Sequence, residues 1–310
     1  MERFKHLAVY YAGRPGDRAA LLRAGAIAER NRARVSIVAV VEPIAGVAQL
    51  LLGKERAEQF VAARRQELQH ALNADLGRLG LKPAPLHCLS GTPAVETIRF
   101  ILQHGCDLLV KFRREPEQGR AISPTDKQLL RKCPVPVLLL TASRKKRFAR
   151  ILAAVDPDPS QPARLELHRT VLKLAVSLAE REQATLDVVH AWDAFSAATL
   201  QGPRFRLSAA ELQRIIEQEQ QVYRGWIDEL LAAHAGGDVS IRTHLLQGAP
   251  PATIIDLARR RRSDLLVMGT VARGGLPGLL IGNTAETVLD SIGCATLTVK
   301  PPDFVCPITP

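Results

Sequence analysis

The residues of this chain that could do chemistry are concentrated in one stretch, 264–286. It opens with an apolar run short enough for a buried strand, and then breaks into a loop that holds Gly269, Gly274, Gly275, Gly278 and Gly282. Asn283 follows as the predicted cap of an amphipathic helix, where Glu286 would complete a capping box. Such a sequence of strand, loop and helix favours anion binding, because backbone N–H groups can approach a phosphate where no Cβ intervenes.

The loop lacks the lysine of a Walker motif and the GxGxxG of a dinucleotide site. On the residues alone, a flexible turn between strand and helix is as good an interpretation as a phosphate site. The chain has no GxSxG nucleophile elbow, and we predict no catalytic residues. His87 and Cys88 are adjacent on a predicted strand and would point to opposite faces, so we predict no metal site.

The elements that would position this stretch occur twice along the chain. Segments 88–110 and 245–267 align without a gap at a constant offset of 157 residues. Each runs from a strand through Gly-x-Pro into a helix and on into the next strand. Because apolar strands alternate with amphipathic helices in both halves, the sequence indicates βαβ units and parallel sheets.

The apolar periodicity predicts five strands in each half. They are predicted at 7–11, 35–41, 86–89, 107–111 and 135–140, and again at 151–155, 185–190, 240–246, 264–268 and 297–300. Helices of the first half are predicted from Asp17, over 54–79, from Pro93 and within 123–132. Those of the second half are predicted over 166–180, after a Ser208–Glu211 capping box, from Pro250 and after the glycine loop.

The chain has 310 residues, enough for two domains of ordinary size. We predict a first domain at 1–143, a basic linker at 144–150, a second domain at 151–302 and a tail at 303–310. No segment is apolar enough for a signal peptide or a membrane span. The five cysteines are widely spaced and include no CxxC, which predicts a reducing, cytoplasmic location.

The net charge of +11 lies entirely in the first half. Residues 1–145 hold 24 Lys/Arg against 13 Asp/Glu, whereas residues 146–310 hold 18 of each. This imbalance predicts an anionic partner, such as nucleic acid or a lipid surface, for the first half only. The run 259–262 of four arginines could serve a similar purpose, but it ends a predicted helix, and we favour that structural interpretation.

The glycine loop resembles that of the universal stress protein family, whose nucleotide-binding members carry Gly-x2-Gly-x9-Gly-Ser/Thr. Gly269 matches the first glycine and Gly282 the last, while Ala272 stands at the second glycine and Asn283 at the Ser/Thr, with Thr284 one place later. Phrases at 123–134 and 268–271 extend the resemblance over nearly the whole chain.

The resemblance implies two tandem Rossmann-like domains of the adenine nucleotide alpha hydrolase-like type. Each would contain a five-stranded parallel sheet of order 3-2-1-4-5 with helices on both faces. It also implies that the two domains pair with each other as family homodimers do. The sequence leaves open whether the whole chain forms a homodimer as well.

The resemblance further implies that the second domain binds ATP or a related adenine nucleotide with Mg²⁺. Asp156, at the end of the first strand of that domain, would contact the nucleoside. His190 and Trp192 would follow the second strand near the adenine edge, although an ordinary strand-end histidine is the alternative. The remaining predicted binding residues are Met268, Gly269, Ala272, Arg273, Gly282, Asn283 and Thr284.

The first half lacks these features, because Phe112 lies where Gly269 lies and Tyr11 appears in place of Asp156. We therefore expect a degenerate first domain without a ligand. The family resemblance implies a role in stress resistance with at most slow ATP hydrolysis. The rival hypothesis is a scaffold that binds no nucleotide and whose basic first half docks an anionic partner.

Overall fold

A computed structural model of the chain describes residues 4–113, 122–142, 147–193, 208–233, 239–270 and 281–310. The chain forms two compact units. The first contains the described residues up to 142 together with Phe304–Pro310, and the second contains the described residues from 147 to 303. Within the described ranges, no helix is both long and apolar enough to cross a membrane.

The first unit contains five strands and five helices among its described residues. They are β1 (His6–Tyr10), α1 (Asp17–Asn31), β2 (Arg34–Val41), α2 (Val47–Leu52), α3 (Lys54–Leu79), β3 (Leu86–Ser90), α4 (Pro93–His104), β4 (Leu108–Phe112), α5 (Pro124–Lys132) and β5 (Val137–Leu140). Helix α2 lies between the predicted strand 35–41 and the predicted helix 54–79, where no helix was predicted, and α3 has the predicted bounds.

The second unit repeats this order of elements. They are β6 (Arg150–Ala154), α6 (Pro162–Glu182), β7 (Thr185–Trp192), α7 (Ala209–Ala232), β8 (Ile241–Gln247), α8 (Pro250–Arg261), β9 (Leu265–Gly269), α9 (Asn283–Ser291) and β10 (Ala295–Val299). The predicted capping box at the start of α7 is present, with Ser208 and Glu211 each bonding the other's backbone.

Both units have the predicted parallel sheet. The strand order is β3-β2-β1-β4-β5 in the first and β8-β7-β6-β9-β10 in the second, which confirms the order 3-2-1-4-5 in each. Every strand pair within a unit is parallel. The central strands β1 and β6 are almost wholly buried, as expected for continuous apolar runs covered on both faces.

The repeat is visible in the backbone as well as in the sequence. Gly91 and Gly248 occupy matching positions before α4 and α8, with φ of +143° and +135°. Residues that carry a Cβ rarely adopt such backbone angles, so both copies need glycine at this position. The two amide groups donate to the ends of β2 and β7 at 3.1 and 2.8 Å, which fixes the entry to each helix.

Candidate functional site

The predicted site lies at the carboxyl edge of the sheet in the second unit. Strands β6 and β9 pair in parallel through Ala154 and Met268, so Asp156 and Gly269 follow at the same edge. These strands flank the point where the strand order reverses, and ligands of open α/β sheets bind at such points. The fold thus brings Asp156 close to Met268 and Gly269, which lie more than a hundred residues later in the sequence. Met268 is buried, and the other two residues are half-buried.

The carboxylate of Asp156 already has a cationic neighbour. Arg164, from the first turn of α6, donates from Nη2 to Asp156 Oδ2 and from Nη1 to Gln161 Oε1 at 2.9 Å. His190 Nδ1 lies 3.8 Å from Asp156 Oδ1. Both members of the Asp156–Arg164 pair are partly buried, so a ligand that reaches Asp156 must share or displace this contact.

His190 and Trp192 lie within β7 and not after it, which corrects the predicted strand end at residue 190. Both side chains are buried, because β7 continues as a ladder with β8 up to Trp192. His190 donates from Nδ1 to the carbonyl of Val155 at 3.0 Å. The ring of Tyr223 on α7 lies 4.8 Å from the His190 ring and 5.3 Å from the Trp192 ring, which forms an aromatic cluster beside the edge.

His168, one turn beyond Arg164 on α6, is buried near the same edge. Burial lowers the pKa of its imidazole to about 4, and the Coulombic contributions of Arg164 and His190 act in the same direction. Asp156 raises that pKa but does not outweigh the loss of hydration. The imidazole is therefore neutral at pH 7.

Gly269 has a packing role at the end of β9. A Cβ built on this glycine would lie 2.7 Å from Cδ2 and 3.1 Å from Cγ of Leu167, which is buried on α6. The glycine thus allows α6 to approach the strand closely. This requirement exists whether or not a phosphate binds.

We predict that Gly269→Ala lowers the free energy of unfolding by about 1–3 kcal/mol, the usual cost of overpacking a tight contact. Gly225→Ala on α7 is the matched control, because a Cβ there meets no atom within 4 Å. That substitution should stabilise the chain by about 0.5–1 kcal/mol through helix propensity. Urea denaturation followed by tryptophan fluorescence measures both, and equal stabilisation by the two variants would contradict the packing role.

The start of α9 differs from the prediction. Its N-cap is Gly282 and no side chain of the described residues caps it, so the predicted capping box of Asn283 and Glu286 is wrong. The reason is a backbone hydrogen bond between Gly282 and Thr270, described residues on either side of the glycine-rich segment. Gly282 donates its backbone N–H to the carbonyl of Thr270 at 3.0 Å, which places the helix start one residue earlier. Asn283, which is exposed, and Thr284, which is half-buried, then lie in the first turn of the helix.

Two predicted binding residues, Ala272 and Arg273, lie outside the described residues. The described part of the site consists of Asp156, Met268, Gly269 and the first residues of α9. Sequence reasoning missed Arg164 and His168, since neither belongs to a motif. The only available signal was the position of Arg164 in the first turn of the helix that follows Asp156.

The matching edge of the first unit is filled by its own side chains. Phe112 occupies the position that corresponds to Gly269, and its ring lies against α1. A Cβ built on Gly16 would be only 2.3 Å from the ring. The aromatic ring therefore fills the space between the end of β4 and the start of α1, whereas in the second unit Leu167 of α6 packs against Gly269.

Strand register corrects one sequence comparison. Tyr11 and Val155 each donate their backbone N–H to the adjacent second strand, at 2.8 and 2.9 Å, so these two residues correspond. Ala12 is therefore the counterpart of Asp156, and the prediction of Tyr11 is wrong by one residue. The Tyr11 side chain points into the core, where its hydroxyl donates to Asp75 at 3.0 Å. The first unit still lacks a carboxylate at this position, because Ala12 has none.

A buried ion pair lies at the same edge of the first unit. Lys111 Nζ is 2.7 Å from Asp126 Oδ1 and donates to the carbonyl of Phe112 at 3.1 Å. Ser123 caps α5 by accepting from the Asp126 amide at 3.1 Å, and its hydroxyl donates to Asp126 Oδ2 at 2.7 Å. By position, Ser123 corresponds to Gly282 of the second unit, so a serine side chain caps one helix start and a glycine, which has no side chain, stands at the other.

The arginine run at the end of α8 is partly used within the fold. Arg261 forms an ion pair with the buried carboxylate of Asp187, with Nη2–Oδ1 and Nε–Oδ2 distances of 3.1 Å each. Arg259 pairs with Asp256 at 2.6 Å. These contacts favour the structural interpretation of the run. Residues 144–146 of the predicted basic linker lie outside the described residues.

Comparisons with known proteins agree with this architecture. The model of the universal stress protein family matches twice, at residues 3–141 and 147–300. Universal stress protein E of Escherichia coli K12 is 31% identical over 224 residues, which cover 70% of this chain and 67% of that protein. A universal stress protein E homolog of Haemophilus influenzae is 28% identical over 96% of this chain and 98% of its own length.

Solved structures give the same result. A functionally unknown protein of Pseudomonas aeruginosa PAO1 superposes with a TM-score of 0.71 at 25% identity, over 97% of this chain and 94% of that one. A universal stress protein of Archaeoglobus fulgidus gives 0.67 at 15% identity over 97% of this chain and 98% of that one, which supports the fold alone. With two family matches that together span nearly all of its residues, the chain belongs to the universal stress protein family and carries two copies of the family domain.

Proposed function

We propose that the second domain binds an adenine nucleotide, or a similar phosphate-bearing ligand, at the carboxyl edge of its sheet. The observation that carries this proposal is the difference between the two domains at one place. In the first domain Ser123 and Asp126 close the start of α5, and Phe112 and Lys111 fill the strand end. In the second domain the N-cap of α9 is Gly282, which has no side chain of its own to cap the helix, and it lies beside a strand that ends in Gly269.

The residues present fit the two ends of such a ligand. The N-terminal amides of α9 and its helix dipole favour a phosphate, and Asn283 and Thr284 in the first turn can add hydrogen bonds to it. Asp156 can accept hydrogen bonds from ribose hydroxyls. Arg164 supports the same class of ligand, because a guanidinium displaced from Asp156 can pair with a phosphate oxygen.

ATP with Mg²⁺ is the ligand that we test first. The ion would be held mainly by phosphate oxygens and water, since Mg²⁺ usually keeps several waters and few protein ligands. We expect at most slow hydrolysis of the bound nucleotide. We further propose a cytoplasmic role in stress resistance, which rests on family membership and on five cysteines that form no disulfide within the described residues. Pairing of the two domains within one chain is part of the same proposal.

Isothermal titration of the purified chain with ATP and Mg²⁺ tests the site. We expect micromolar binding, and Asp156→Ala should raise Kd by about tenfold or more, the cost of a lost charged hydrogen bond. Asp156→Asn separates loss of the carboxylate from loss of the contact with Arg164. Asp158→Ala is the matched control, because Asp158 lies two residues away and, within the described part of the chain, its carboxylate accepts hydrogen bonds from Ser160 and Gln161 of its own turn.

Absence of binding heat and of co-purified nucleotide in the wild-type chain would refute the proposal. The basic first half would then become the functional surface, through retention on an anionic matrix that salt reverses. Changing Arg144, Lys145 and Lys146 to Glu should abolish that retention under this second hypothesis. Binding that survives Asp156→Ala would instead place the ligand elsewhere in the chain.

A further inference from the structure

A short apolar helix stands on the surface of the first unit. Helix α2 (Val47–Leu52) contains no charged residue and buries none of its side chains. The exposed fractions are 72% for Val47, 83% for Leu50, 81% for Leu51 and 42% for Leu52. Single exposed leucines are ordinary, but four large apolar side chains within six residues form a patch that is not.

Helix α2 is too short to be stable through its own hydrogen bonds. An isolated helix of this length is unstable in water, because nucleation costs more than a few hydrogen bonds return. Glycine with positive φ precedes and follows it, Gly46 at +65° and Gly53 at +79°, so the backbone is set at both ends in conformations that other residues rarely adopt. An apolar helix held out in this way gains its packing only when another surface covers it.

We propose that a second copy of this chain covers α2, so that the chain forms a homodimer through these helices. The exposed apolar area of the four side chains is roughly 450 Å², as large as the major patch of a typical monomer and over half of what each partner contributes to a standard interface. The helix and the residues around it can supply the remainder. A twofold interface of this kind needs only one self-complementary patch.

The charges beside α2 favour a second copy over an anionic surface. Both signs are present and exposed at the start of α3, where Lys54 and Glu58 are 84% and 69% exposed and lie 3.8 Å apart. In a twofold dimer these side chains can pair across the interface. Glu42 precedes α2 in the chain, and Glu55 and Glu58 follow it among Lys54 and Arg56, so the charges next to the helix are mixed and do not form a basic surface for nucleic acid or an anionic lipid.

Sedimentation equilibrium over a range of concentrations tests this proposal on the full chain. The wild-type chain should shift from monomer to dimer, and Leu50→Glu/Leu51→Glu should weaken that equilibrium by about thirtyfold or more, since it places charges in an apolar interface. Leu22→Glu is the control, because Leu22 is also exposed at 47% but lies on α1. Circular dichroism should show that all three chains are folded, as expected for exposed positions.

A second measurement places the contact. Gln49→Cys should cross-link between two copies through a short bifunctional maleimide, well above the level set by the native cysteines of the wild-type chain. A monomer at every concentration would overturn the proposal. So would a dimer that survives Leu50→Glu/Leu51→Glu, because it would use another face. Sedimentation with neutral lipid vesicles by a chain that stays monomeric would assign α2 to a membrane surface and also overturn it.

Discussion

Replacing Lys111 with methionine should lower the free energy of unfolding of the first domain by about 3–5 kcal/mol. The ammonium group is buried, 2.7 Å from a carboxylate of Asp126 that has no exposed surface. Removing the cation leaves that carboxylate without its counter-charge in a region of low dielectric constant. The hydrogen bond from Ser123 remains but cannot replace an ion pair.

The double variant Lys111→Met/Asp126→Asn separates this effect from lost packing. It removes both charges and keeps an oxygen that can accept from Ser123, so it should recover at least half of the lost stability. Far-ultraviolet circular dichroism during urea denaturation measures all three chains. Trp192 and Trp226, the only tryptophans, belong to the second unit, so their fluorescence serves as an internal reference. A loss below about 1 kcal/mol for Lys111→Met would show that the pair is not desolvated.

Stability of the second domain should fall as the pH drops from about 6.5 to about 4, because of His168. The pKa of its imidazole is near 4 in the fold, against an ordinary value of 6.5 in an unfolded chain. Between these values the unfolded chain binds more protons, so lowering the pH favours unfolding. The contribution is complete above pH 6.5 and amounts to about 3 kcal/mol when fully lost.

Two variants identify the residue responsible. His168→Leu removes the proton-binding site from its buried position and should flatten the dependence between pH 7 and pH 5, as measured by urea denaturation with tryptophan fluorescence. His70→Leu changes an exposed histidine of α3 and should leave the dependence intact. The range above pH 5 lies above the ordinary pKa values of carboxyl groups, so the slope there reports mainly on histidine. An unchanged slope in His168→Leu would assign the effect to other groups.

The neutral state of His168 also bears on the site. A cation at this position would stand beside Asp156 together with Arg164 and compete for its carboxylate. Because burial keeps the imidazole uncharged at pH 7, Arg164 is the cation that contacts Asp156 there. We therefore expect nucleotide affinity to depend more steeply on Arg164→Gln than on His168→Gln at neutral pH.

The sequence was sufficient to predict the architecture, because the patterns that indicate strands and helices are local and occur in both halves. Alternating apolar strands and amphipathic helices predicted both parallel sheets, and the bounds of α3 were predicted to the residue. The constant offset between 88–110 and 245–267 predicted two copies, and matching glycines at Gly91 and Gly248 adopt the same unusual backbone angles. Glycine, proline and the spacing of hydrophobic residues determine the conformation of the segment in which they lie, so the sequence is sufficient to interpret them.

The ion pairs, the helix start and the strand register depend on contacts between residues that are distant in sequence, and they became evident only from the three-dimensional packing. Lys111 at the end of β4 meets Asp126 of α5, and the N-cap of α9 is Gly282 and not Asn283, because the carbonyl of Thr270 accepts a hydrogen bond from that glycine. The counterpart of Asp156 was likewise fixed by hydrogen-bond register. Burial, charge pairing and strand register each depend on contacts between distant segments. No single segment of the sequence specifies them, so the site could be described only from the fold.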